Sequence, residues 1–548
     1  MIHKARALAV TLVACVLALV GPAPRTASHA IAVDSPRRGG TVVDGFFEEP
    51  SRLIPNTDFI AFSIMVQEAI FAPLFYSDDR GALHPGLAAA IPTVGNGGIS
   101  RDGRAYTFRL RPGLQWSDGA PLDARDVDYS WRTWTTKGLI VNSTAGFDHI
   151  KSADVSPDHL SITFHLTSPY APFLAVWVDQ VMPLPQHVLG KLTAMALNTS
   201  RFTLQPTVAS GPFMVAARKT GDSITVVRNP RYYRAAEGLP YLDKIVFKII
   251  PDQVALANAL AAHEVDCAWF LDISQLDRYR RIAGYTTIAS TAPNFEQGLL
   301  NLKNPILQDV RVRQALEYGL NRDAMIKDVW KGTALPLGSD IAPTSFAYAP
   351  RVKPYPYDPA KAGRLLDAAG WKLGTDGRRR KNGKTLILRY STTARNPWRA
   401  QDELIALQNY QDLGIDLRIV NYPSDTFFGS IFPKGDFDIG EWENGLVYDP
   451  SITISSYFKG NQIPPGGSNY GRYSSPSYDK LIAAEESTTD LARRKAIFAQ
   501  MQQQMHDDLP ALWLYDPPVL DSHANTLHNY APAPYGYETW NSWAWWKG

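Results

Sequence analysis

The sequence predicts an α/β fold divided into several domains, on three observations. Segments of alternating apolar and polar residues recur along the chain, separated by stretches that carry helix-start and helix-stop residues. The chain runs to 548 residues, more than one hydrophobic core usually serves. Its 40 prolines and 39 glycines are spread throughout, which marks many loops and no disordered tract.

Residues 1–30 read as a secretory leader. Lys4 and Arg6 precede the apolar run from Ala7 to Val20, and Ser28-His29-Ala30 supplies a small-x-small cleavage site. The run is too short to span a bilayer. Leu12-Val13-Ala14 before Cys15 offers a second reading, a lipid anchor on that cysteine; both readings export the chain. The whole chain has a net charge of +2, and the leader holds Lys4, Arg6 and Arg25 without an acid, so the remainder is near neutral. That balance provides no electrostatic footprint for nucleic acid and no basic run for an anionic membrane surface. Cys267 would be the only cysteine left, so no internal disulfide can form in an oxidising compartment. Stability must come from a buried core.

Taken in order, Thr41 to Val43 begins a strand that leaves into a loop. Tyr106, Phe108 and Leu110 alternate with Thr107, Arg109 and Arg111 in a second strand, followed by a Ser117-Asp118-Gly119 turn. Asp123 is placed to cap a helix, with Asp126 three residues on and Val127, Trp131 and Trp134 along one face. Ile162, Phe164 and Leu166 form another alternating strand, which leaves His165 on the solvent side. Residues 224–233 and 241–252 read as two further strands, and 253–262 as a helix. Asp309 caps a helix with Val312, Ala315, Leu316 and Gly319 on one face. Asn321 caps the next, which carries Met325, Ile326 and Val329 and stops at Gly332. Asp358-Pro359 opens a helix that Gly370 ends. Leu386, Leu388 and Tyr390 make a strand after a charged hairpin tip. Residues 404–422 hold a helix and then a strand after Gly414. A helix from Asp490 carries Ile497, Phe498, Met501 and Met505, and the tryptophan-rich tail reads as a terminal strand packing back on the body.

Several chemistries lack their residues. Neither G-x-S-x-G, H-E-x-x-H nor a dinucleotide fingerprint occurs. Gly383-Lys384-Thr385 looks like the end of a phosphate loop, but Gly377 stands five residues before Gly383 where the motif needs four. His263-Glu264 has no second histidine at metal-site spacing. The expectation is no enzyme, no cofactor and no metal.

The segment at 99–134 carries a resemblance. It combines the alternating strand with Arg111-Pro112-Gly113, Trp116-Ser117-Asp118-Gly119, Pro121-Leu122 and Asp126-Val127. Its wording closely resembles the signature of the extracytoplasmic solute-binding proteins of peptide-type ABC importers, the oligopeptide and dipeptide receptors. Matching phrases run from residue 39 to 546. The resemblance implies a two-lobed periplasmic-binding-protein-like fold with an extra subdomain. Lobe one would collect 31–68, 205–295 and 512–548, the subdomain 69–204 and lobe two 296–511, with chain crossings near 294–300 and 508–514. It implies a monomer that captures a peptide in the cleft and delivers it to a membrane permease.

Family position also suggests ligand-binding residues. The loop after the first strand faces the cleft in that family, which points to Phe46 and Glu48. Phe295 stands at the lobe crossing, Arg395 is the nearest match to a carboxylate-binding arginine, and Trp398 lies beside it. The family's ammonium-binding aspartate corresponds here to Leu446, so Glu441, Glu443 or Asp449 must substitute if an amine is bound. Strand alternation sends Glu441 and Glu443 one way and Trp442 and Asn444 the other; Trp442, Asn444 and Asp449 are the expected cleft residues. A leucine at the ammonium position also suits a ligand without a free amine, such as an oligosaccharide, opine or metal chelate. A secreted hydrolase and a sensory receptor of the same fold are the remaining readings.

Overall fold

Strands drawn from distant parts of the chain assemble into two separate sheets. The computed structural model of the protein describes residues 35–548 except 59, 142–143, 180 and 446. The expected leader, the Ala30 cleavage site, Cys15 and Leu446 therefore lie outside the described residues. No helix among those described is long and apolar enough to cross a membrane.

The first sheet has seven strands, in the order Tyr285–Thr291, Pro518–Ala524, Cys267–Ala268, Thr41–Phe46, Lys244–Ile249, Ser223–Arg228 and Phe213–Lys219. Thr41–Phe46 lies at its centre, parallel to both neighbours. Val42, Phe46, Ile245 and Phe247 are fully buried. Each such side chain contributes about 1.5–3 kcal/mol of burial free energy. The second sheet has six strands, in the order Leu335–Pro336, Ala511–Asp516, Asn294–Leu300, Ile439–Gly445, Ile387–Ser391 and Asp416–Ile419.

The chain passes between the sheets twice: at residues 292–293, between Tyr285–Thr291 and Asn294–Leu300, and at Pro517, between Ala511–Asp516 and Pro518–Ala524. Residues 512–516 thus sit in the second sheet and not in lobe one, a correction to the expected boundary. The strand Ala511–Asp516 is buried at every position, and it pairs with Asn294–Leu300 on one side and Leu335–Pro336 on the other. An apolar run of that kind needs neighbours on both edges and both faces. One apolar cluster continues across the passages, joining Leu260 and Leu520 to Leu512 and Tyr390.

The segment between the first strand and Phe213 builds a smaller three-stranded sheet, Ala105–Arg109, Ser161–Leu166 and Ile150–Val155. It shares an apolar cluster with the first sheet. The helix Ala124–Trp134 begins at Asp123 with a complete capping box, Asp126 returning to the cap residue's backbone. Trp134 closes it, buried, its indole donating to the Pro55 carbonyl at 3.2 Å.

Two local expectations change. After Asn321 the chain makes one short α-turn, Arg322–Ala324, and then a π-helical turn, Met325–Val329, which still buries Met325 and Val329. The tail is a 3-10 helix, Glu538–Ala544, with only Trp546–Lys547 extended. Buried Glu68 holds that helix by accepting from the Tyr537 amide at 3.2 Å and the Thr539 hydroxyl at 2.7 Å.

Candidate functional site

A cleft opens where the two sheets meet the tail and the smaller subdomain. Its main chamber, about 520 Å³, lies in the range of small-molecule and peptide pockets. Trp269, Phe270 and Ser290 line it from the first sheet's side, Glu443, Gly445 and Tyr448 from the second's, Asp179 from the subdomain and residues 532–537 from the tail. A second chamber of about 230 Å³ is walled by Phe47, Gln253, Trp330, Trp398 and Leu520. Phe270, Asn294, Glu443 and Val519 line both chambers, so these four mark their junction.

The junction is built by strand register. Asn294–Leu300 runs antiparallel to Ile439–Gly445, which sets Glu296 directly opposite Glu443 and Asn294 opposite Gly445. Two like charges facing each other across a ladder repel. Arg399, on the helix Pro397–Asp412, reaches over and holds Glu296 in a two-pronged ion pair at 2.7 and 3.1 Å. Asn294 donates to Oε1 of Glu443 at 2.7 Å. Burial, and then the Glu296 charge, lift the Glu443 carboxyl to about 7, with Arg399 opposing. Behind them Asp402 and Glu441 are also buried and raised, burial being the first cause for each; Tyr515 donates to Asp402 and Tyr390 to Glu441.

Other cleft carboxylates are already engaged. Asp58 accepts from the Ser51 and Ser63 hydroxyls, and Asp179 from the Ser77 amide and hydroxyl. Burial lifts Asp179 to about 7. Among the described residues, no Lys, Arg or His lines either chamber, and no group of three or more His, Cys, Asp or Glu is arranged to hold a metal. The lobes touch across the cleft mouth: Tyr448 meets Tyr535 with ring centres 5.3 Å apart, and the Tyr535 hydroxyl donates to the Thr344 carbonyl at 3.5 Å.

Residues 82–464 match the family described as bacterial extracellular solute-binding proteins, family 5 Middle. The chain belongs to this family. The oligopeptide-binding protein AppA of Bacillus subtilis is 25% identical over 97% of this chain and 96% of its own. Its structure in complex with a nonapeptide superposes with a TM-score of 0.78, covering 94% of this chain and all of that one at 24% identity. Protein XP55 of Streptomyces lividans is 27% identical over 86% of this chain and 83% of its own. NikZ of Campylobacter jejuni, solved in complex with Ni(L-His), superposes with a TM-score of 0.78 at 24% identity, covering 92% of this chain and 99% of that one. The two-lobed α/β fold is the family's, and its members bind solutes.

Within this family member, the residues expected at the cleft are scattered. Trp398 lines the second chamber. Phe46 does not line either one: it is fully buried between Phe62 and Phe247, at 4.7 and 4.9 Å. Its neighbour Phe47 points the other way, into the second chamber, as alternation along an extended chain requires. Phe295 is fully buried against Trp513, one residue from the cleft-lining Asn294. Trp442 packs under Phe428, Phe432 and Tyr457, and Asn444 is buried on that same side. The alternating pair that includes Glu443 therefore has the cleft side. Asp449 caps the helix Pro450–Phe458 and pairs with buried Arg494 at 2.6 Å, which leaves it no free face. Glu48 and Arg395 are exposed and line neither chamber; Arg395 adopts a left-handed backbone, φ 70°, in the loop before Pro397.

Sequence reasoning passed over Asn294, Trp269, Phe270 and Tyr535. A glutamate and an asparagine at strand ends carried a signal only in combination, through a register that local pattern does not reveal.

Proposed function

We propose that this chain is the receptor of an ABC importer, capturing a peptide in the interlobe cleft and handing it to the membrane permease. It would act as a monomer, exported by the leader at residues 1–30. The observation that carries the reading is the chambered cleft walled by both lobes, with aromatic sides and few fixed polar groups. Such a wall suits ligands of varied side chain. Gly445, Gly536 and Ala292 bring the main chain itself to that wall, which is what strand-like recognition of a peptide backbone uses. The AppA relationship over nearly the whole chain supports the same reading. Opines and metal chelates usually carry several anionic groups, and among the described residues no basic side chain lines either chamber, which favours them less.

Closure would follow from ligand contacts made to both lobes at once, since a ligand shifts the equilibrium only by its differential affinity for the closed state. Mass spectrometry of compounds that co-purify with the exported protein tests the proposal. Peptide masses, recovered unchanged after incubation, are expected. A sugar or chelate in their place overturns the peptide reading, and a cleaved compound overturns the receptor reading. Sequencing the N-terminus of exported protein is expected to begin at Ile31; a lipid on Cys15 overturns the leader assignment.

A further inference from the structure

We propose that the C-terminal tail is latched to the first lobe by a proton shared between the carboxyl groups of Asp44 and Glu538, and that losing this proton in alkaline solution lifts residues 532–537 from the wall of the main chamber. The inference goes beyond the proposed function and holds for any ligand of the cleft.

The two groups come from opposite ends of the chain. Asp44 stands on the central strand of the first sheet, Thr41–Phe46, and Glu538 opens the tail's 3-10 helix, Glu538–Ala544. Both are fully buried, and they face each other within hydrogen-bond reach. Among the described residues, no hydrogen-bond donor reaches any of their four oxygens. An ionised carboxylate only accepts, so two of them in contact would repel, out of water and with nothing between them. One proton resolves the conflict. Bonded to one carboxyl group, it donates to the other and joins the tail to the sheet.

The surroundings retain that proton. Asp266 lies near Asp44, and the buried Cys267 thiol stands beside it in parallel register. Asp521, on the strand Pro518–Ala524, is a third buried acid, engaged by the Ser290 and Tyr530 hydroxyls at 2.8 and 3.5 Å. Glu68 adds its charge from the helix Ala61–Ile70. Burial holds Tyr530 and Tyr537 neutral, and it lowers His523, which stacks on Tyr530 at 4.7 Å. The cations nearby serve other acids or another face. Lys547 pairs with Asp266 at 2.8 Å. Lys244 and Lys248 alternate with Ile245 and Phe247, the residues that share Asp44's side of the sheet.

Burial lifts Asp44 to about 7, and burial with the charges of Asp44 and Asp521 raises Glu538 well above its ordinary value. The docked tail therefore holds more protons than the lifted one, so rising pH favours lifting. The first ionisation leaves one proton between the pair and the latch intact; its loss to solvent leaves two facing charges. Glu68 keeps its bonds to Tyr537 and Thr539 throughout, because it accepts both. The consequence falls on the cleft. Residues 532–537 line the main chamber, where Tyr537 packs on Trp269 at 5.2 Å and Tyr535 on Tyr448 at 5.3 Å.

Brief subtilisin digestion of the full exported chain from pH 7 to pH 10 tests this, on wild type, Glu538→Gln and Asp44→Asn. Cuts are located by mass spectrometry, and rates are scaled to an unstructured peptide at each pH. Wild type is expected to be clipped within residues 529–546 about tenfold faster at pH 10 than at pH 7, with the strand Ser161–Leu166 left intact. Each variant carries an amide N–H that donates without a shared proton, so its tail should change by less than about twofold. Equal tail clipping at both pH values in wild type overturns the latch. So does cutting of Ser161–Leu166 as fast as the tail, which reports global unfolding, or the same acceleration in the variants. Where melting curves show a variant unfolded, the wild-type comparison decides alone. No ligand enters the experiment, so its outcome is independent of the peptide reading.

Discussion

Asp449 and Glu443 stand six positions apart in the chain and do opposite work. Asp449 is buried, caps a helix and shares Arg494 with Glu485, so its charge is spent inside the second lobe. Removing one partner of such a group leaves an uncompensated charge out of water. Asp449→Ala should therefore cost about 3–5 kcal/mol of stability, read as a lower urea midpoint. A drop in ligand affinity with the midpoint unchanged would instead make Asp449 a ligand contact. Phe46→Ala should behave the same way, losing about 3–5 kcal/mol through the cavity it opens between Phe62 and Phe247. At Glu443 the order is reversed. Its carboxyl borders open space, and the cost of changing it should fall on binding.

Helix starts and strand ends set the geometry that these side chains inherit. Asp123 and Asp126 satisfy each other's backbone amides at the start of Ala124–Trp134, and Asp123→Ala should lose about 0.5–2 kcal/mol, measured by denaturant unfolding. Residues 532–537 have a different task. They line the main chamber, and Tyr535 contacts Tyr448 and the Thr344 carbonyl, which joins the tail to the second lobe. An aromatic pair is worth about 0.5–1.5 kcal/mol beyond its area. Tyr535→Ala should therefore weaken ligand binding by about twofold to tenfold and raise the radius of gyration of the liganded protein in solution scattering. An unchanged affinity would show that the pair does not hold the lobes together.

Across the whole molecule, buried carboxyl groups dominate the response to pH. Asp44, Asp179, Glu317, Asp340 and Asp402 are lifted to about 7, and Glu68 and Glu485 to about 8, burial being the first cause in each. Their unfolded values lie near 4. Between these limits the folded state holds more protons than the unfolded state, so stability falls as pH rises from about 4 to 8. On the acid side, Asp309 lies below its ordinary value, held there by Arg311, and contributes stability that is lost as pH falls below 4. The melting temperature should thus be highest between about pH 4 and 6 and lower by several degrees at pH 8. A curve flat from pH 5 to 8 would contradict the burial of these groups.

Much of this architecture was legible in the linear chain because its causes are local. Caps such as Asp123, Asp309, Asp358 and Asp490 act on amides two or three residues away, and alternation at Tyr106–Phe108 or Leu386–Leu388 needs only a neighbouring strand. The binding surface was not legible in the same way. Alternation sorts Phe46 from Phe47, and Trp442 from Glu443, into opposite faces without saying which face meets the cleft. That choice belongs to partners far off in sequence: Phe247 for Phe46, Phe428 for Trp442, Asn294 for Glu443. Local hydrogen bonding and periodicity wrote the elements, while long-range register between Asn294–Leu300 and Ile439–Gly445, and the return of the tail to the cleft, decided which side chains can meet a ligand. The physical reason is that burial is a property of what packs against a residue, and a chain carries that information only once it has folded back on itself.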